Sequence, residues 1–245
     1  MQRSLFLILT LLLFTFFTGI SQEQEKEENR LLFSEALALH LPQYNDKANK
    51  AYQQRNFKEG KRLFDSLTNN CLSGSYIDDF RLFNLRDKEV RLHDIKKPIY
   101  LITYASWCIP GKGAIPAIND IANKYKNNVQ LVVLFWDTKA KVKRVSREFN
   151  KNVKVLYVDE TQNHSSYVVK QLKHSLGLPT CFLIDSDHKI MDISRYTAVA
   201  YDTSIENALK KNYNQINEGI VSFLMKDVEA RPQADLAASH EEEEE

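Results

Sequence analysis

Between Pro98 and Ser194 the sequence alternates short apolar runs with segments of helical period, and this alternation constrains the fold more than any other feature. Pro98 to Ala105 is apolar, Ala114 to Tyr125 repeats its apolar residues every three or four positions, and Val129 to Trp136 is almost wholly apolar. A basic amphipathic segment follows from Lys139 to Phe149, then a strand-like run from Val153 to Val158. After a helical stretch from Tyr167 to Leu176 come strand-like runs at Cys181 to Asp185 and Lys189 to Ser194, and Ile205 to Met225 reads as a long final helix. Val132-Val133-Leu134-Phe135 offers no polar residue to solvent on either face, the pattern of a strand covered on both sides. The expected class is therefore α/β, a central mixed sheet with parallel core strands and helices on both faces.

Upstream, Phe80 to Leu85 and Glu89 to Leu92 alternate like a hairpin around Arg86-Asp87-Lys88. From Leu31 to Leu67 the period is helical, and Ala51-Tyr52, Asn56-Phe57 and Phe64 look like one helical-hairpin repeat. A single repeat cannot bury its own apolar face, so these helices are expected to cap the main domain, with a peptide-binding groove as the lesser reading. Thr68 to Ser75 is turn-forming and reads as the boundary.

The ends are different in kind. Met1-Gln2-Arg3, the apolar run Leu5 to Phe17 and the small residues before Ser21 form the pattern of a secretory signal peptide, too short for the ~20 residues of a membrane span. Cleavage is expected near Ser21, with an uncleaved anchor as the alternative. The domain reading is 1–21 signal peptide, 22–73 charged linker and helical cap, 74–225 main domain, and 226–245 disordered acidic tail, since the five terminal glutamates repel one another. The expected location is the periplasm or cell envelope of a bacterium, with secretion as the alternative. The mature form is expected to have no membrane span.

Lys and Arg total 33 against 32 Asp and Glu, and no basic stripe with interleaved aromatics appears, which excludes the usual nucleic-acid footprint. Seven glycines leave no phosphate-binding loop, and the histidines are scattered and expected at the surface rather than clustered with cysteines as zinc ligands. No metal or cofactor is expected. The three cysteines, Cys71, Cys108 and Cys181, are too few for a disulfide scaffold.

Chemistry concentrates in Tyr104-Ala105-Ser106-Trp107-Cys108-Ile109-Pro110-Gly111-Lys112. Cys108 falls just after a strand and at the opening of a helix, where unpaired N–H groups lower a thiol pKa from ~8.5 toward roughly 3.5–7.5. That marks it as a potential nucleophile. The segment, with Asp79-Phe80-Arg81-Leu82 and Lys97-Pro98-Ile99-Tyr100-Leu101 before it, Pro116 after it and Gly177-Leu178-Pro179-Thr180-Cys181-Phe182-Leu183-Ile184-Asp185 further on, resembles the thioredoxin superfamily. Within it, the chain is similar to the exported TlpA/ResA-like thiol-disulfide proteins over about residues 74 to 225.

The resemblance implies a thioredoxin-like fold, Cys108 as the catalytic thiol, and Trp107, Ile109, Pro110, Gly111 and Pro179 around it. It implies a cis Pro179 packed against Cys108, a kink of the active-site helix at Pro116, and substrate-backbone contacts from Leu178 and Thr180 by short β-strand addition. Its expected partners are protein thiols or disulfides of the envelope; the sequence sets no oligomeric state. The departures are as informative. Gly111 stands where the family's second cysteine belongs, Ile102 where many thioredoxins bury an acid, and Ala114 where some exported members carry a glutamate. Two functions follow as expectations: single-cysteine thiol-disulfide exchange through Cys108, or a redox-inactive binding module using the surface around Pro179. Cys181 is expected in the strand core, and Cys71 in an exposed boundary loop, free or paired with Cys181.

Overall fold

The computed structural model describes residues 30–105, 111–159, 173, 175–195, 199–200 and 202–241, with side chains as far as residue 226. Helices α1 (Phe33–Gln53) and α2 (Phe57–Leu67) lead into a π-helical turn, Thr68–Leu72. Then come β1 (Leu82–Asn84), β2 (Glu89–Val90), β3 (Ile99–Tyr104), α3 (Ala114–Tyr125), β4 (Gln130–Phe135), α4 (Lys139–Val145), β5 (Val153–Tyr157), β6 (Thr180–Ile184), β7 (Ile190–Arg195) and α5 (Ile205–Glu241). The leader and linker expected over 1–29 lie outside the described residues, as does the helix expected at Tyr167 to Leu176 apart from Lys173, Ser175 and Leu176.

One seven-stranded sheet runs in the order β2-β1-β5-β4-β3-β6-β7. Its core strands β3, β4 and β5 are parallel, while β1, β6 and β7 are antiparallel to their neighbours. This is the thioredoxin-like α/β arrangement, and cover on both faces of the pleat explains why β3 and β4 are apolar apart from Thr103 and Gln130. Ile99, Leu101, Val132 and Leu134 enter one core; Tyr100, Ile102, Leu131, Val133 and Phe135 enter the other. On the second face Ile118 and Ile121 of α3 and Ile216 and Ile220 of α5 supply the cover.

The first face is where the N-terminal helices go. Phe33 and Leu37 of α1, Phe64 of α2 and Leu72 join the same core as Leu101, Phe182, Ile184 and Ile193 of the sheet. Phe33 meets Phe182 edge-on, ring centroids 5.6 Å apart, an arrangement contributing about 0.5–1.5 kcal/mol beyond its buried area. The cap is therefore a cover of the sheet rather than an appendage. Backbone bonds weld it on: Phe33 N–H donates to Tyr76 O (2.8 Å), Ile77 N–H to His188 O (3.0 Å), and Ile190 N–H to Ser75 O (2.8 Å). The buried Asp78 carboxylate accepts from Ser34 N–H (2.9 Å) and Ser34 Oγ (2.5 Å), capping the first turn of α1.

Several boundaries differ from the sequence reading. Thr68 to Ser75 is no free linker, because Gly74 N–H donates to Ile190 O at 2.7 Å and ties this stretch to β7. Helix α4 stops at Val145 and tightens into a 3-10 turn, Ser146–Glu148. Just beyond it Asn150 redirects the chain, donating its N–H to Asn119 Oδ1 (2.8 Å) and its Nδ2 to Asn119 O (2.9 Å). Helix α5 does not end at Met225: its backbone stays helical through Glu241, where a disordered tail was expected.

Candidate active site

Thr103 and Thr180 face each other in the antiparallel β3–β6 pair. At that end of the sheet β3 leaves toward Cys108 and β6 enters from Pro179, so the two loops singled out from the sequence emerge side by side. The Leu178–Pro179 peptide is cis, and Gly177 before it has φ 83°, a left-handed conformation that a side chain would strain. Thr180 Oγ1 donates to Gly177 O (2.7 Å), closing the loop on itself. Thr103 Oγ1 donates to Thr180 O (3.1 Å) and accepts from Thr180 N–H (3.3 Å). Both backbone groups of Thr180 are thus bonded to the Thr103 hydroxyl, which fixes the start of β6 directly after the cis-proline.

Trp107, Cys108, Ile109 and Pro110 lie outside the described residues; the structure resumes at Gly111. A Cβ placed on Gly111, where the family has its second cysteine, would meet no atom of the described residues within 4 Å. The opposite holds at Gly113, the N-cap of α3, with φ 77°. There a Cβ would stand 2.6 Å from Leu209 N and 2.9 Å from Leu209 Cα, so only glycine lets the start of α3 touch α5. Asn212 of α5, 1% exposed, donates its Nδ2 to Lys112 O (3.0 Å), and Lys112 Nζ donates to Thr203 O (3.0 Å). The C-terminal side of the thiol loop is clamped to α5 by these contacts. Pro116 falls in the first turn of α3, where a missing N–H leaves no intrahelical bond unmade, so its sequence does not require the expected kink.

Ile102 and Ala114 are fully buried, so the two positions where acids would carry protons in the family are dry and apolar. Ile102 pairs with Cys181 across β3–β6. Burial pushes the Cys181 thiol up to about 12, only partly opposed by its hydrogen bond with Tyr100, and nearby Asp192 adds to the rise. Cys71 packs against the core on the other face of the sheet from Cys181, and both are free thiols. A Cys71–Cys181 disulfide is excluded by that separation. Cys71 itself sits in the π-helical turn rather than in an exposed loop. Native Cys108→Ser protein treated with iodoacetamide at pH 8 is expected to label at Cys71 and not at Cys181, whose burial both shields the sulfur and disfavours its thiolate. Mass spectrometry reads the result; labelling of Cys181 before denaturation would contradict the assignment.

Sequence reading missed the His93–His188 contact, with ring centroids 4.3 Å apart, because the two lie at a 3-10 turn and a hairpin far apart in the chain. Burial, and then the neighbouring His93, hold the His188 imidazole below its ordinary pKa. Among the described residues no group of three or more His, Cys, Asp or Glu side chains is arranged to hold a metal.

The model of the AhpC/TSA family matches residues 74–193. The thiol-disulfide oxidoreductase ResA of Bacillus cereus is 30% identical over 122 residues, covering 49% of this chain and 67% of that protein. Among solved structures, a Chlorobium tepidum protein assigned as thiol:disulfide interchange protein DsbE is 26% identical, covering 58% of this chain and 97% of that one at a TM-score of 0.43. The thioredoxin domain of a thiol-disulfide oxidoreductase from Bacteroides vulgatus is 16% identical, covering 60% and 96% at 0.46. At those TM-scores the structural likeness carries no weight of its own, and kinship rests on the sequence matches and on the cis-proline topology already described. The chain belongs to the thioredoxin-like AhpC/TSA family and is a homologue of the ResA-type thiol-disulfide oxidoreductases.

Proposed function

We propose that the protein is exported and exchanges thiols and disulfides with other proteins through Cys108 alone. The observation that carries this reading is the Thr103–Thr180 register, which supports a site where the chain leading to Cys108 runs beside the cis Leu178–Pro179 peptide. In this reading the Cys108 thiolate attacks one sulfur of a partner disulfide. A new S–S bond forms, the partner's S–S bond breaks, and the departing thiolate takes a proton from water. No second cysteine follows at position 111, so the mixed disulfide is resolved by an external thiol, either a small thiol or a free cysteine of the partner. Trp107, Ile109 and Pro110 shape the thiol loop, and Leu178 offers its backbone to an extended partner segment. Export rests on the leader pattern of residues 1–21, and the proposed location is the bacterial envelope.

The test is to recover Cys108 adducts from an oxidising envelope under acid quench, with the Cys108→Ser variant beside the wild type. The reading predicts partner proteins that are released by reductant and missing from Cys108→Ser. Partners that bind both proteins equally and noncovalently would instead make this a redox-inactive docking module.

A further inference from the structure

Arg195 is the last residue of β7 and pairs with Thr180, the first residue of β6 after the cis-proline. Its Nε–H donates to Leu176 O at 3.2 Å, so it grips the loop three residues before Pro179. The other face of the same guanidinium lies over the Phe64 ring of α2, with Cζ 4.0 Å from the ring centroid. Tyr44 of α1, a buried tyrosine, is near enough for the Arg195 charge to oppose part of the rise that burial gives its phenol. The Arg195 carbonyl in turn accepts from Gln215 Nε2 of α5 at 3.1 Å. One side chain thus stacks on the cap at Phe64 and bonds the loop that carries Leu178 and Pro179. A planar, permanently charged fork suits this, since it stacks and donates in different directions at once.

We propose that Arg195 is a positioning residue through which the helical cap holds the cis-proline loop ready to receive a partner polypeptide. The inference rests on the docking role given above to Leu178 and Pro179. If Arg195 set only general stability, its loss would slow every reaction of Cys108 alike. If it sets the docking edge, only reactions that use the edge should suffer.

The experiment compares wild type, Arg195→Gln, Arg195→Lys and Phe64→Leu, each checked for folding by circular dichroism. Two rates are measured: mixed-disulfide formation with a cystine-containing peptide, and alkylation of Cys108 by iodoacetamide. Arg195→Gln is expected to slow the peptide reaction about 10-fold and leave alkylation within twofold, with Arg195→Lys between it and wild type. Equal slowing of both reactions, or a peptide rate within twofold of wild type, overturns the proposal. Amide hydrogen exchange at Gly177 and Leu178 reads the loop directly. Arg195→Gln and Phe64→Leu should both accelerate it, and unchanged exchange overturns the proposal even if the wild type forms no mixed disulfide. A wild type that forms none, with exchange accelerated in both variants, sinks the exchange function and leaves the cap-to-loop link standing.

Discussion

Gly111→Cys is expected to raise turnover in a thiol-coupled insulin-reduction assay by at least about 100-fold. The substitution restores a second thiol three residues after Cys108, and a Cβ at that position meets nothing within 4 Å among the described residues. Its effect comes from converting a bimolecular resolution step into an intramolecular one. Well-placed groups reach effective molarities of about 10⁵ M or more, against external thiols at millimolar concentration. The gain should fall well short of that ceiling, because Ile102 and Ala114 remain buried and apolar and supply no proton carrier. Turnover unchanged from wild type would mean that resolution is not the step the missing cysteine limits.

Gly113→Ala carries the largest expected loss of stability from a single methyl group. At φ 77° an alanine costs about 1–2 kcal/mol in backbone strain. The added Cβ must also displace the backbone of α5 at Leu209, an overpacking cost of typically about 1–3 kcal/mol. Together these come to about 2–5 kcal/mol, which lowers Tm by roughly 10 °C in a chain of this size. Thermal melting followed by circular dichroism checks it; a melting point within a degree or two of wild type would mean that α3 and α5 are not in the contact described. Gly177→Ala, also at positive φ but with no atom of the described residues within 4 Å of the added Cβ, should cost only the strain.

The sheet was legible in the sequence because burial on both faces leaves an unmistakable mark, an apolar run such as Val132 to Phe135 with no polar alternation. The cis Pro179 was implied by the resemblance to the thioredoxin superfamily, and the burial of Cys181 by the period-two alternation of its strand. What the sequence did not disclose depends on contacts between distant segments. The capping of α1 by Asp78 joins residues 44 apart, and the Asn212–Lys112 bond joins residues 100 apart. Arg195 has the same history, since nothing in Ile193-Ser194-Arg195 hints at Phe64 or at the carbonyl of Leu176. The bonding of the Thr103 hydroxyl to both backbone groups of Thr180 was likewise hidden, since the two residues lie 77 apart in the chain. The helical extension of α5 past Met225 was not foreseen, since Pro232 and the charged residues of that stretch argue against a helix.

The most direct test of the central claim is the rate of Cys108 alkylation against pH, in the mature protein with Cys71 and Cys181 both changed to Ser. The account predicts an inflection well below ~8.5, the value of an unperturbed thiol. An inflection at or above that value, or labelling seen only in denaturant, would contradict single-thiol exchange through Cys108 and leave the cis-proline edge as a docking surface alone.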